Sequence, residues 1–121
     1  MEGARDRGTR YEGVAARYLQ SKGVSIIERN VYSRGGEIDL IGWDGGVLVF
    51  FEVRFRKADG LVDPASSITR HKQQRLLRAA AFYLHRNGQW DAPTRIDVIG
   101  ITPGQTSRYR VQWIKNAIQA S

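Results

Sequence analysis

The pattern of hydrophobic and polar positions predicts two amphipathic helices. In the first, over residues 9–22, apolar side chains recur three and four positions apart and therefore share one face. Thr9 is a candidate N-cap for this helix, and Gly23 marks its end. The second helix covers residues 69–86. Its expected inward residues are Leu76, Leu77, Ala80, Phe82, Tyr83 and Leu84.

Five strands are predicted around these helices, three after the first helix and two after the second. They cover residues 24–33, 36–44, 47–56, 94–102 and 109–114, and the last segment fits either a strand or the start of a short terminal helix. Short turns between the first three strands favour antiparallel pairing, and the second helix allows a parallel crossover. The expected fold class is therefore α/β, a mixed sheet flanked by helices in the order α-β-β-β-α-β-β.

Composition narrows the class of protein. The chain has 121 residues and no cysteine, which excludes a disulfide framework, a zinc ribbon, an iron–sulfur site and a thiol nucleophile. We expect a flexible N-terminus over residues 1–8 and one domain over residues 9–121. The N-terminal residues include no apolar run, so we expect a soluble, cytoplasmic protein with no membrane partner.

Basic residues are concentrated in the middle of the predicted domain. The net charge is +7, and residues 54–86 hold eight Lys or Arg against two Asp. Such a surface attracts polyanions. The side chains expected to contact a phosphate backbone are Arg56, Lys72, Arg75 and Arg78. A solvated helix face is the alternative interpretation.

An acidic pair is predicted at the second and third strands. If Gly45 and Gly46 form a two-residue hairpin loop, counting back places Asp39 opposite Glu52, with their Cβ atoms about 4.5–5.5 Å apart. Alternation puts Glu37 on the same face as Asp39, and Ile38 with Leu40 on the other.

Two nearby carboxylates flanked by apolar residues need a proton or a cation. Arg54, on the same strand face as Glu52, is one source of positive charge, and a divalent metal is the other. Glu12 follows the apolar edge of the first helix, so it also needs a partner, and Arg34, Arg54 or another arginine is the expected one.

These residues carry a resemblance to a known family. The matching segments are Glu12, Asn30, GEIDLI at 36–41, VFFEVR at 49–54, KQQRL at 72–76 and RIDVI at 95–99. Together they resemble the YraN-like family of bacterial proteins, which looks like a minimal branch of the PD-(D/E)XK nuclease superfamily. That superfamily includes type II restriction enzymes and archaeal Holliday-junction resolvases. The resemblance implies a restriction-endonuclease-like α-β-β-β-α-β core.

The resemblance also implies roles for individual residues. Asp39 matches the first acid of the motif, Glu52 the second, and the backbone carbonyl of Val53 a further ligand of Mg²⁺ or Mn²⁺. Glu12 matches an acid that related nucleases place on the first helix, and Glu37 is an accessory candidate.

One position departs from the motif, because Arg54 stands where the superfamily pattern has lysine. Arginine stays protonated and is a poor base. Arg54 is thus expected to stabilise a phosphate, with Lys72 as an alternative source of the missing ammonium.

Three functions remain open on the sequence. The first is a metal-dependent endonuclease acting on DNA, in particular structured or branched DNA, with catalytic residues Asp39, Glu52, Arg54 and Glu12. The second is a non-catalytic nucleic-acid-binding module, and the third a protein-interaction subunit. DNA and RNA are not distinguished, and a homodimer would suit paired cuts.

Trp43, Trp90 and Trp113 are expected in packing, with base stacking as the alternative, and Asp97 is expected to pair with an arginine.

Overall fold

The computed structural model describes residues 4–33, 35–56, 63–104 and 108–120. Two helices, a short 3₁₀ helix and five strands cover most of these residues. In chain order they are α1 (Ala4–Ser21), β1 (Ser25–Ser33), β2 (Gly36–Asp44), β3 (Val47–Phe55), the 3₁₀ helix (Pro64–Ser67), α2 (Arg70–Arg86), β4 (Thr94–Pro103) and β5 (Tyr109–Ile118). Within the described ranges no helix is long and apolar enough to cross a membrane.

The five strands form one mixed sheet in the order β1-β2-β3-β4-β5. The β3–β4 pair is parallel, joined by the crossover through α2, and the other three pairs are antiparallel. The predicted order α-β-β-β-α-β-β is confirmed, and the last segment is a strand. This arrangement matches the restriction-endonuclease-like α/β fold.

Each helix covers one face of the sheet, so the molecule has two cores. Successive residues of β3 alternate between them, as a strand with both faces buried requires. The α1 core contains Tyr11, Ala15, Ala16 and Leu19 packed on Leu40, Val49, Phe51, Ile99 and Ile101. The α2 core contains Leu76, Ala79, Ala80 and Tyr83 packed on Ile38, Ile41, Leu48, Phe50, Ile96 and Val98.

The helix predictions need two corrections. Helix α1 begins at Ala4, five residues before the predicted start, so Thr9 lies inside the helix and is not its N-cap. Its first turn carries polar residues, which leave no apolar period for the pattern to detect. In α2, Phe82 is exposed, because the buried stripe runs through Leu76, Ala79 and Tyr83, and Phe82 is rotated about 100° from Tyr83.

Strand β2 departs from simple alternation at Asp39. Ile38 packs in the α2 core and Leu40 in the α1 core, so the prediction that they share a face is wrong. On β1, the opposing position falls at Asn30, between the pairs Arg29↔Leu40 and Val31↔Ile38, and Asn30 has a φ of 53°. This left-handed conformation inside a strand is uncommon outside Asn, Asp and Gly. The local distortion turns the side chains of Ile38 and Leu40, on either side of Asp39, toward opposite faces of the sheet.

Gly100 on β4 provides the space in which the 3₁₀ helix packs. A Cβ built at Gly100 would lie 2.3 Å from Cγ of the buried Pro64. Residues 57–62 lie outside the described residues, and the 3₁₀ helix follows them with Asp63 as its N-cap. We expect Gly100→Ala to lower the free energy of unfolding by about 1–3 kcal/mol, because the 3₁₀ helix must shift.

Urea denaturation measures this effect. Gly46→Ala is the matched control, since a Cβ at Gly46 meets no atom within 4 Å. Equal stability of the Gly100→Ala protein and the wild type would contradict the close packing of Pro64 on β4.

Candidate metal centre

The β2–β3 hairpin brings Asp39 beside Glu52. Asp44 pairs with Val47 across the two-residue turn, as predicted, and the register continues to the pair Leu40↔Phe51. Beyond that pair, Oδ2 of Asp39 accepts a hydrogen bond from the backbone N–H of Val53 at 2.8 Å. At this position a hydrogen bond to a side chain takes the place of a backbone hydrogen bond between β2 and β3. The carboxylates of Asp39 and Glu52 lie next to each other here.

Two more carboxylates join Asp39 from α1 and from the start of β2. Carboxylate oxygens of Glu12, Glu37 and Asp39 all lie within 4.8 Å of one another. Asn30, the residue with positive φ on β1, hydrogen-bonds the side chain of Glu12. The sequence pattern favoured an arginine as the partner of Glu12, and in the structure its carboxylate lies with those of Glu37 and Asp39. We call Glu12, Glu37, Asp39 and Glu52 the acidic cluster.

The acidic cluster disfavours full ionisation of its members. Burial raises the pKa of Asp39 to about 9, and the charge of Glu52 and a hydrogen bond with Glu52 act in the same direction. The hydrogen bond from Val53 opposes this shift. Burial also raises the pKa of Glu12, against the hydrogen bond from Asn30. A cation at this cluster would therefore relieve both desolvation and repulsion.

Glu52 has a buried oxygen without a hydrogen-bond partner. The residue is 4% exposed, and its Oε2 atom accepts no hydrogen bond from the described residues. The same Oε2 atom forms an ion pair with the Nζ atom of Lys72 at 3.4 Å. Lys72 compensates part of the cost of burying this carboxylate, and the absence of a hydrogen bond leaves room for a further cation.

Asp97 shows the opposite arrangement for a buried acid. Its carboxylate accepts hydrogen bonds from Arg95 Nε at 3.0 and 3.1 Å, from Trp113 Nε1 at 2.8 Å and from the Asn116 backbone N–H at 2.8 Å. The predicted pairing of Asp97 with an arginine is confirmed. The carboxylate of Asp97 is therefore satisfied by hydrogen bonds from protein groups, whereas Oε2 of Glu52 has only the ion pair with Lys72.

Lys72 reaches the acidic cluster because it continues the buried stripe of α2. It lies four residues before Leu76 and eleven before Tyr83, at helical spacing, and Thr69 caps the helix just ahead of it by accepting a hydrogen bond from the Lys72 N–H. Lys72 therefore differs in placement from Arg75 and Arg78, although all three were predicted to contact phosphates. Lys72 is half-buried and directed at Glu52, while the two arginines are exposed.

Arg54 is held away from the acidic cluster by the 3₁₀ helix. Its guanidinium donates to the Ser67 hydroxyl at 3.4 Å and to the Ser67 carbonyl at 3.3 Å. No ion pair joins Arg54 to a carboxylate of the described residues. Arg54 and Arg56 instead line a separate open cavity of about 450 Å³ with Ser67. In the structure, Arg54 therefore does not neutralise the acidic pair of Asp39 and Glu52.

Tyr32 is a site residue that sequence reasoning missed. It is 70% exposed on β1 and lines, with Glu12 and Glu37, a cavity of about 320 Å³ in front of the acidic cluster. Tyr32 lies two residues after Asn30 on an edge strand and pairs with Glu37. This spacing from Asn30 is the feature of the sequence from which its placement could have been predicted.

Comparison with known proteins identifies the family. The profile described as "Uncharacterised protein family UPF0102" matches residues 11–101, which include every member of the acidic cluster and Lys72. The chain belongs to the UPF0102 family. The predicted YraN-like resemblance is thereby confirmed.

Curated UPF0102 proteins resemble the chain over nearly their whole length. The UPF0102 protein of Marinobacter nauticus is 71% identical over 119 residues, covering 98% of this chain and 97% of the relative. The UPF0102 protein STH1475 of Symbiobacterium thermophilum is 47% identical over 109 residues, covering 90% and 92%. That of Dichelobacter nodosus is 46% identical over 112 residues, covering 93% and 88%.

Proposed function

We propose that this UPF0102 protein is a divalent-metal-dependent endonuclease that hydrolyses phosphodiester bonds in DNA. The observation that carries the proposal is the buried carboxylate of Glu52 beside Asp39, at the end of the β2–β3 pairing, whose Oε2 accepts no hydrogen bond from the described residues and is ion-paired with Lys72. The restriction-endonuclease-like order of helices and strands supports it, because this order presents two acids from neighbouring strands at one opening.

The donor set of the acidic cluster fits a hard cation. Its side chains offer only carboxylate oxygens, which suit Mg²⁺ or Mn²⁺ better than softer metals. Asp39 and Glu52 would hold the ion, with Glu12 and Glu37 adjacent and the Val53 carbonyl as the further ligand that the family resemblance implies. A cation bound there supplies Lewis-acid charge and a water of lowered pKa.

Two cationic side chains can act on a phosphodiester, Lys72 at the acidic cluster and Arg54 beside Ser67. Lys72 brings an ammonium within 3.4 Å of Glu52, in the role that the lysine missing at position 54 would otherwise fill. Its positive charge would stabilise the negative charge that develops on the phosphate. Arg54, fixed by its hydrogen bonds to Ser67, would hold a neighbouring phosphate with Arg56.

A non-catalytic nucleic-acid-binding module is the second candidate. Arg54 favours it, since a guanidinium remains protonated and cannot serve as a base. The binding surface would be the same in both candidates, with Arg75 and Arg78 contacting phosphates from the exposed side of α2. The two candidates differ in whether the bound nucleic acid is cleaved, which only the endonuclease would do.

Cleavage of defined substrates tests the proposal. We expect the wild-type protein with Mn²⁺ to cut at least one of labelled linear, flapped or four-way-junction DNA, with RNA of the same sequence in parallel. The Asp39→Asn/Glu52→Gln variant should lose cleavage by about 100-fold or more, and should lose Mn²⁺ binding in calorimetric titration.

Asp91→Asn is the matched control, because it removes an exposed carboxylate outside the acidic cluster. Metal binding without cleavage would favour the non-catalytic module. Metal binding that survives in the double variant would show that Asp39 and Glu52 do not hold the metal.

A further inference from the structure

The outer face of α2 combines cations and an aromatic ring in a single stripe. His71, Arg75, Arg78 and Phe82 recur at spacings of four, three and four residues, so they lie along one side of the helix. We call these four residues the outer strip. Together with Gly35 of the β1–β2 turn they line an open cavity of about 530 Å³. The outer strip is distinct from the buried stripe that carries Lys72.

The charge of the outer strip favours an anionic partner. Helix α2 has no Asp or Glu among its 17 residues. Arg75 and Arg78 are exposed, and neither forms an ion pair with a carboxylate of the described residues. Their guanidinium groups are therefore free to make charge-assisted hydrogen bonds to phosphate oxygens.

Exposed aromatic rings extend the outer strip at its C-terminal end. Phe82 is 40% exposed, and Trp90, four residues beyond the end of α2, is 60% exposed. The rings of Trp90 and His85 are 5.2 Å apart and inclined by 33°. His85 lies three residues after Phe82, so the aromatic surface continues the same face of the helix.

The three tryptophans are therefore not equivalent. Trp43 and Trp113 are half-buried and pack against the cores, and Trp113 also donates a hydrogen bond to Asp97. Trp90 is exposed, contrary to its expected place in packing. An exposed indole next to a cationic surface offers a flat face on which an unpaired base can stack.

We propose that the outer strip and Trp90 bind a single-stranded segment of nucleic acid, with phosphates on Arg75 and Arg78 and unpaired bases stacked on Phe82 and Trp90. From Arg75 to Phe82 the helix rises about 10 Å, comparable with about three nucleotides at the 3.4 Å spacing of one strand. A duplex keeps its bases stacked internally and would meet only the cations. The inference rests on the proposed function in naming the class of substrate, DNA with an unpaired arm.

Binding in EDTA tests the inference separately from metal binding and cleavage. The probes are a fluorescent 20-nucleotide oligo-dT and a hairpin duplex of equal charge, followed by anisotropy at low salt. We expect Phe82→Ala and Trp90→Ala each to weaken oligo-dT binding about 10-fold or more, from the usual contribution of one stacked base, and to leave duplex binding within about 2-fold. Trp90→Phe should retain most of the oligo-dT affinity.

A charge-matched pair of variants locates the phosphate contacts. Arg75→Glu should weaken both probes and lower the salt dependence of binding. Arg110→Glu makes the same charge change on β5, at the other edge of the sheet, and should have a much smaller effect.

Three results would overturn the inference: no oligo-dT binding by the wild type, unchanged oligo-dT binding by both aromatic variants, or equal loss for duplex and single strand. The last would leave a purely electrostatic surface, of the kind that an acidic protein also fits. Failure of the endonuclease proposal appears instead in metal titration and cleavage, which these EDTA measurements do not involve.

Discussion

Asp39→Asn is expected to stabilise the metal-free protein while removing its metal binding. In the folded chain, burial and the neighbouring Glu52 hold the pKa of Asp39 at about 9, against an ordinary value of 3.8. Asparagine carries no ionisable proton and can still accept the hydrogen bond from the Val53 N–H. We expect a gain of about 1–3 kcal/mol in the free energy of unfolding near pH 8, and a rise in melting temperature of roughly 3–10 °C.

The pH dependence of this effect has a definite sign. Because the folded-state pKa of Asp39 is raised, the folded protein keeps a proton that the unfolded chain releases above pH 3.8. Stability of the metal-free wild type should therefore fall as pH rises from about 4 to about 9. The Asp39→Asn variant lacks this contribution, so its advantage should disappear near pH 4 and increase toward pH 9.

Thermal unfolding in EDTA at several pH values measures this prediction, and Asp91→Asn supplies an exposed-carboxylate control. Added Mn²⁺ should raise the melting temperature of the wild type, because a ligand that binds only the folded state stabilises it, and should leave Asp39→Asn unchanged. A variant less stable than the wild type at pH 8 would show that the acidic cluster is not under electrostatic strain.

The hairpin that builds the acidic cluster could be predicted because its turn fixes its register. Two glycines after Asp44 select a two-residue loop, and the period of two along a strand then determines the pairing back to Leu40↔Phe51. Helical period likewise predicted that Leu76 and Tyr83 are buried. These are local rules, and the structure follows them wherever backbone geometry is regular.

The remaining features of the site depend on contacts between distant segments. The left-handed conformation of Asn30 on β1 and the opposite packing of Ile38 and Leu40 arise from a distortion that strand alternation does not encode. The position of Lys72 was available from its spacing to Leu76, but a lysine on a basic helix is ordinarily assigned to the solvent face. Only the packing of α2 against the sheet shows that its first inward position faces Glu52.

Lys72→Met is expected to abolish most of the cleavage while preserving the metal site. The ammonium of Lys72 lies 3.4 Å from Glu52, and Arg54 donates its hydrogen bonds to Ser67, so Lys72 is the described cation that forms an ion pair with the acidic cluster. We expect cleavage to fall by about 100-fold or more, as when one preorganised electrostatic contact to a transition state is lost. Affinity for Mn²⁺ should stay the same or increase, because a competing positive charge has been removed.

This combination separates a role on the substrate from a role in folding or in metal binding. Glu52→Gln should lose both Mn²⁺ binding and cleavage, whereas Lys72→Met should lose cleavage alone. Lys22→Met, which removes an exposed ammonium at the end of α1, is the control.

Since Arg54 and Glu52 project from the same face of β3, Arg54→Lys should restore part of the cleavage when combined with Lys72→Met, and should change cleavage by the wild type little. Wild-type cleavage by Lys72→Met would contradict the assignment and leave the guanidinium of Arg54 as the candidate cation.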